Sequence, residues 1–138
     1  MNFISAEFIT RATQLMRSVA LAVHQTVVVT TPVDTGRARS NWFVSFGSPV
    51  LTDNEPPGGD SVSARGRQAA DQAFSQGRPV IASWRLGSGD IYVSNGVPYI
   101  GELDRGSSRQ APKGMSRQAI LAGRRVLKET KLLPPGTG

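Results

Sequence analysis

With 138 residues, the chain is long enough to bury one core and too short for two, and its 38% apolar content makes that core lean. It has no cysteine, which excludes disulfides, thiolate catalysis and cysteine metal sites. The net charge of +6 favours an anionic partner, either nucleic acid or an acidic protein surface, although it is equally compatible with a charged exterior.

Residues 5–30 form the longest periodic segment. Phe8, Ala12, Leu15, Val19, Ala22, Val23 and Thr26 recur at three- and four-residue spacing, which predicts one face of a long helix. Asn2 or Ser5 can cap its start, with Glu7 favourable in the first turn. Pro32 ends it. The single histidine, His24, reads as a polar helix position, since no partner ligand or carboxylate cluster accompanies it. Glu7, Arg11 and Arg17 interrupt any signal-peptide pattern, and no apolar run approaches the roughly 20 residues of a membrane span. The chain is therefore expected to be made and assembled inside a cell, with no membrane partner.

The corner Thr31-Pro32-Val33-Asp34-Thr35-Gly36 comes next, with Asp34 or Thr35 accepting backbone N–H bonds in a turn closed by Gly36. Asp-Thr-Gly also occurs in aspartic proteases, but the second such loop and its apolar strands are missing. Residues 42–46 alternate as a strand, with Trp42, Val44 and Phe46 on one face. Residues 47–61 hold three prolines and three glycines without periodicity and read as an extended loop. Its Asp53, Glu55 and Asp60 lack the spacing of a calcium loop and read as an exposed acidic arm.

A second helix is predicted over 64–76, capped by Ser61 or Ser63 and ended by Gly77, with Ala69, Ala70, Ala73 and Phe74 inward. Residues 79–85 and 90–94 then read as a hairpin turning through Leu86-Gly87-Ser88-Gly89. That turn resembles part of a phosphate loop, but it lacks the third glycine and the following helix. Asn95-Gly96 tolerates positive φ and predicts a sharp turn, followed by a short helical turn seating Tyr99, Ile100 and Leu103 and stopped by Gly106. A last helix is predicted over 116–130 with Ile120, Leu121, Val126 and Leu127 inward, and residues 132–138 form a flexible tail. Basic residues crowd this end of the chain: Arg105, Arg109, Lys113, Arg117, Arg124, Arg125, Lys128 and Lys131 face one acid, Glu129.

Little in this pattern carries chemistry. The lone histidine has no implied nucleophile, Glu102 and Asp104 point different ways on one turn, and no zinc spacing, Walker loop or dinucleotide fingerprint appears. No enzyme activity, cofactor or metal is expected. So many residues of 92–115 set direction and so few carry chemistry that this stretch reads as a docking surface.

Two segments together resemble a known family. Thr31-Pro32-Val33-Asp34-Thr35-Gly36-Arg37 followed by Trp42 is similar to the signature of small tail-completion and neck (head–tail joining) proteins of long-tailed bacteriophages. Some fifty residues on, Val93-Ser94-Asn95, Pro98-Tyr99, Glu102-Leu103, Gly106, Ser108, Gln110-Ala111-Pro112 and Gly114-Met115 match that family's second segment in order. Ile100 and Gly101 depart from its usual small residue and neighbour. The resemblance implies a single α+β domain over 1–138, with a long N-terminal helix packed on a small antiparallel sheet, two shorter helices and long loops. It implies a hexameric ring of copies at the head-proximal end of the tail, meeting tail-tube or terminator and connector proteins, with DNA in the lumen. The virion is then the expected location, after assembly in the host cytoplasm. Under that reading Asp34, Arg37, Asp53, Glu55, Arg65, Tyr99, Glu102, Arg105, Arg109, Gln110, Lys113 and Met115 are expected at subunit or partner interfaces. Arg117, Arg124, Arg125 and Lys128 are expected to face DNA or acidic partners. The rival reading is a small basic nucleic-acid-binding protein, against which stands the lack of aromatics among those charges.

Overall fold

The computed structural model describes residues 5–106 and 114–130. Helix α1 runs Ala6–Thr30, where Ser5 caps it by accepting from the Phe8 amide at 3.0 Å and Glu7 pairs with Arg11 at 2.9 Å. At 1.5 Å per residue it is about 38 Å long. Thr31 turns extended ahead of Pro32, and the Arg39 side chain donates to the carbonyls of Val29 and Thr31, covering groups the helix end leaves open.

Of the predicted α1 face, Leu15 is buried and the others are half-buried. Ala20, His24, Val27 and Val28 are buried as well, because α1 is covered from several sides. The β-branched run costs helix propensity, yet burying a valine stabilises by about 1.5–3 kcal/mol, so packing wins.

A four-residue helix α2 (Arg37–Ser40), absent from the sequence reading, leads into β1 (Trp42–Phe46). Helix α3 spans Val62–Ser83, capped by Ser61. It passes through Gly77 and Pro79, so the predicted end at Gly77, the strand over 79–85 and the hairpin are all incorrect. An interior proline costs about 3 kcal/mol, and continuing the helix buries Ile81 completely and Trp84 almost so. The Gly87 and Gly89 turn exists, at φ 95° and 97°, but it joins α3 to β2 (Ile91–Asn95). β2 pairs antiparallel with β1 in the register Trp42↔Asn95 to Phe46↔Ile91. The free side of β1 is closed by Gln76, whose amide donates to the Val44 carbonyl at 2.8 Å and accepts from its N–H at 2.9 Å.

Helix α4 (Ile100–Asp104) is followed by Gly106 at φ 86°, as predicted, and α5 covers Ser116–Glu129. The inward side of α5 is Ala119 and Gly123; Ile120, Leu121 and Leu127 are exposed, which corrects the predicted face. A Cβ on Gly123 would stand 3.1 Å from Val23, so small residues let α5 lie close on α1. The result is mixed α+β, with α1 packed against α3, α5 and the two-stranded sheet. One core cluster joins Val27, Val28, Trp42, Ala73, Met115 and Ala119; a second joins Ala20, Val44 and Ile81.

His24 lies on α1, but on its packed side rather than its polar side: only 1% of it is exposed. Its Nε2 lies 3.2 Å from the Trp42 carbonyl, which only a protonated Nε2 can use, and Phe74 meets the ring edge-on. Burial lowers its pKa, the Trp42 bond opposes this, and nearby Arg78 lowers it further. The unfolded chain therefore binds a proton that the folded one resists. The stability this neutral ring supplies is complete above about pH 6.5 and is lost as pH falls below it. The unfolding free energy from urea titrations at about pH 7.5 down to pH 5 should fall with a slope of up to about 1.4 kcal/mol per pH unit, and His24→Gln should flatten it. An unchanged slope in that variant would refute the assignment, because the chain has no other histidine.

Candidate functional site

The corner after α1 is built by three interactions. Thr35 Oγ1 accepts from the Arg37 N–H at 3.2 Å, which selects Thr35 over Asp34 as the turn acceptor. Gly36, at φ 92°, brings α2 against α3, where a Cβ would stand 3.1 Å from the Arg65 carbonyl. Arg65 Nε donates to the Asp34 carbonyl at 2.6 Å and its guanidinium reaches the Gly59 carbonyl at 3.3 Å.

The acidic loop 47–61 is tied to this corner and is not a free arm. Asn41, wholly buried, donates to the carbonyls of Arg37 (2.7 Å) and Asn54 (2.9 Å) and accepts from the Asn54 N–H (2.8 Å). Ser94 Oγ bonds both N–H and C=O of Val50 at 3.1 and 3.0 Å. Arg37 forks onto both oxygens of Asp53, a bond that holds the guanidinium still more firmly charged. Gly96 adopts no positive φ, contrary to the predicted sharp turn; it is needed because the Leu51 carbonyl lies where a Cβ would be. Asn95 instead donates to the Ala38 carbonyl and accepts from the Val97 N–H.

Together these elements enclose an open cleft of about 520 Å³. Pro32, Val33 and Asp34 line it from the corner, Glu55 and Pro56 from the loop, Tyr99 from the residue before α4 and Leu103 from within that helix. Four of the predicted interface residues, Asp34, Arg37, Glu55 and Tyr99, thus meet in one place, with Asp53 and Arg65 bracing it. With Arg37 committed to Asp53, the exposed carboxylates of Asp34 and Glu55 leave the cleft acidic. Burial raises the Tyr99 pKa against the pull of Arg37, so its hydroxyl stays neutral.

Glu102 and Arg105 are exposed on and just after α4, outside the cleft lining. Met115, expected at an interface, is fully buried in the core and is corrected to a packing residue. Arg109, Gln110 and Lys113 lie outside the described residues, as do the tail 132–138 and the capping candidate Asn2. Arg117, Arg124, Arg125 and Lys128 are all exposed on α5.

Asp104 does more than the sequence implied. Its Oδ1 accepts from the N–H groups of Met115 (3.1 Å) and Ser116 (2.8 Å), and its Oδ2 bonds the Ser116 hydroxyl. It acts as the cap of α5 from twelve residues upstream, where no local cap exists. Burial pushes its carboxyl up, but the Ser116 and Met115 bonds outweigh this and leave it below its usual value.

Among the described residues no group of His, Asp and Glu is placed to hold a metal ion, and no helix is long and apolar enough to cross a membrane. His24 sits in the core and is not among the residues lining the cleft. The cleft offers shape, carboxylates and an aromatic ring. Asn41, Ser94 and Asn95, which brace its walls, and Asp104, which caps α5, were missed in these roles because polar residues near strands and turns carry no periodic signal. Compared with protein-family models, with curated proteins and with solved structures, the chain matches none.

Proposed function

We propose that the chain is a structural virion subunit. Copies of it form a ring, hexameric by the family resemblance, at the head-proximal end of a phage tail, completing the tail and joining it to the connector. The observation that carries this reading is the convergence of the two segments on which the resemblance rests. Pro32 to Arg37 of the first segment and Tyr99 and Leu103 of the second, far apart in sequence, line one cleft, and Asn41 and Asn95 lock the loop and strand that frame it. Such heavy bracing around a cleft that presents no nucleophile with a base suits a surface for recognition by shape. On this reading the chain is not an enzyme, needs no cofactor, and contacts tail-tube or terminator and connector proteins. Lumen DNA touches it only non-specifically, because a conduit gripping DNA tightly would slow its passage.

The test is to image particles made without the chain. Unjoined heads and tails should accumulate, and purified virions should contain the protein at the neck. Fully joined, infectious particles lacking it would refute the reading.

A further inference from the structure

The outward side of α5 is built unlike a solubility face. Arg117, Ile120, Leu121, Arg124, Leu127 and Lys128 follow three- and four-residue spacing and form one stripe, opposite the buried Ala119 and Gly123. Ile120, Leu121 and Leu127 are each half or more exposed, at 53%, 52% and 50%. A helix that only needed to stay in water would not carry three large apolar side chains between its cations. A helix gripping phosphates would not need them either.

The matching surface is the loop over residues 47–61. Loop 47–61 carries Asp53, Glu55 and Asp60 with no lysine or arginine, and with Asp53 paired to Arg37 it presents the carboxylates of Glu55 and Asp60. Leu51 beside them is 65% exposed, and Val62, where the loop enters α3, is 52% exposed. One patch is basic and apolar, the other acidic and apolar. They cannot meet within one chain. α5 starts at the Asp104 cap and runs back along α1, with Gly123 against Val23 and Val19, so its cations travel away from the corner that holds the loop.

Resting on the ring reading above, we infer that the outward stripe of α5 docks onto the acidic loop of a second copy of this chain. Two different patches in contact make a head-to-tail interface, which closes into a ring when the rotation permits. Opposite charges fix the register and speed encounter, while the leucines and isoleucine supply the burial.

The test is a charge swap on the full chain, read by sedimentation with circular dichroism as the check on folding. Arg124→Glu with Lys128→Glu should weaken self-association about tenfold or more, and so should Glu55→Lys with Asp60→Lys. Mixing the two variants should restore it, because each then offers what the other lacks. A wild-type chain that stays monomeric overturns both the ring reading and this docking. Association that neither reversal weakens leaves the ring standing and overturns the docking alone. Loss that mixing does not restore overturns the docking as well.

Discussion

Gly77→Ala is expected to destabilise the fold by about 2 kcal/mol, against the ordinary rule for helices. On an open helix the same change gains about 0.8–1 kcal/mol, since glycine carries the larger entropy cost. Here α3 and α1 approach so closely that a Cβ at 77 would stand 2.7 Å from His24 Nδ1 and closer still to Cε1. The ring cannot retreat, because its Nε2 is bonded to the Trp42 carbonyl and Phe74 packs against it. The new methyl must therefore push α3 off α1 or break that bond. Urea unfolding at constant slope reads the effect. The control is His24→Ala, which alone costs about 2–4 kcal/mol through the cavity it leaves. In that background Gly77→Ala should be neutral or stabilising, giving strong positive coupling in a double-mutant cycle. A single Gly77→Ala variant as stable as the parent would mean that the two helices do not approach this closely.

The same pair shows where the sequence stops being legible. The periodicity of α1 predicted a helix to within a residue, because apolar spacing is a local property that burial then rewards. β1 and β2 were legible for the same reason, and the Gly106 stop because glycine alone enters positive φ readily. His24 was not, because its burial depends on the room left by a glycine some fifty residues later. Gly77 and Pro79 read as a helix end since each is a local breaker, and only the distant contacts of Ile81 and Trp84 show what offsets them. α5 was misread in the opposite sense: its large apolar residues marked the outward side, while Ala119 and Gly123 marked the packed one. For the cleft, Asp34, Arg37, Glu55 and Tyr99 were four of twelve residues expected at interfaces, but neither their convergence nor the Asn41 clamp that brings loop and corner together was legible.

That clamp carries the second large effect. Asn41→Ala should cost roughly 3 kcal/mol, because it leaves the Asn54 carbonyl and N–H without the side-chain partner they have in the fold and the Arg37 carbonyl with the longer Ser40 hydroxyl bond at 3.3 Å. Asn41→Asp should be worse than alanine despite its near-identical shape. It would replace the amide that donates to two carbonyls with an oxygen facing both, and place a charge where the parent side chain has no exposure. The functional consequence is separable from the stability loss. With Asn54 released, loop 47–61 keeps its ties at Val50 and Arg65 but loses its middle anchor, beside the Asp53 that holds Arg37. Limited proteolysis under conditions where both proteins remain folded should therefore cut the variant within 47–61 and spare the parent. Self-association should fall with it, since the acidic surface would have lost its fixed shape. A variant that keeps the parent's stability and cleavage pattern would show that the loop is held by its other ties and that the Asn41 clamp does not set its shape.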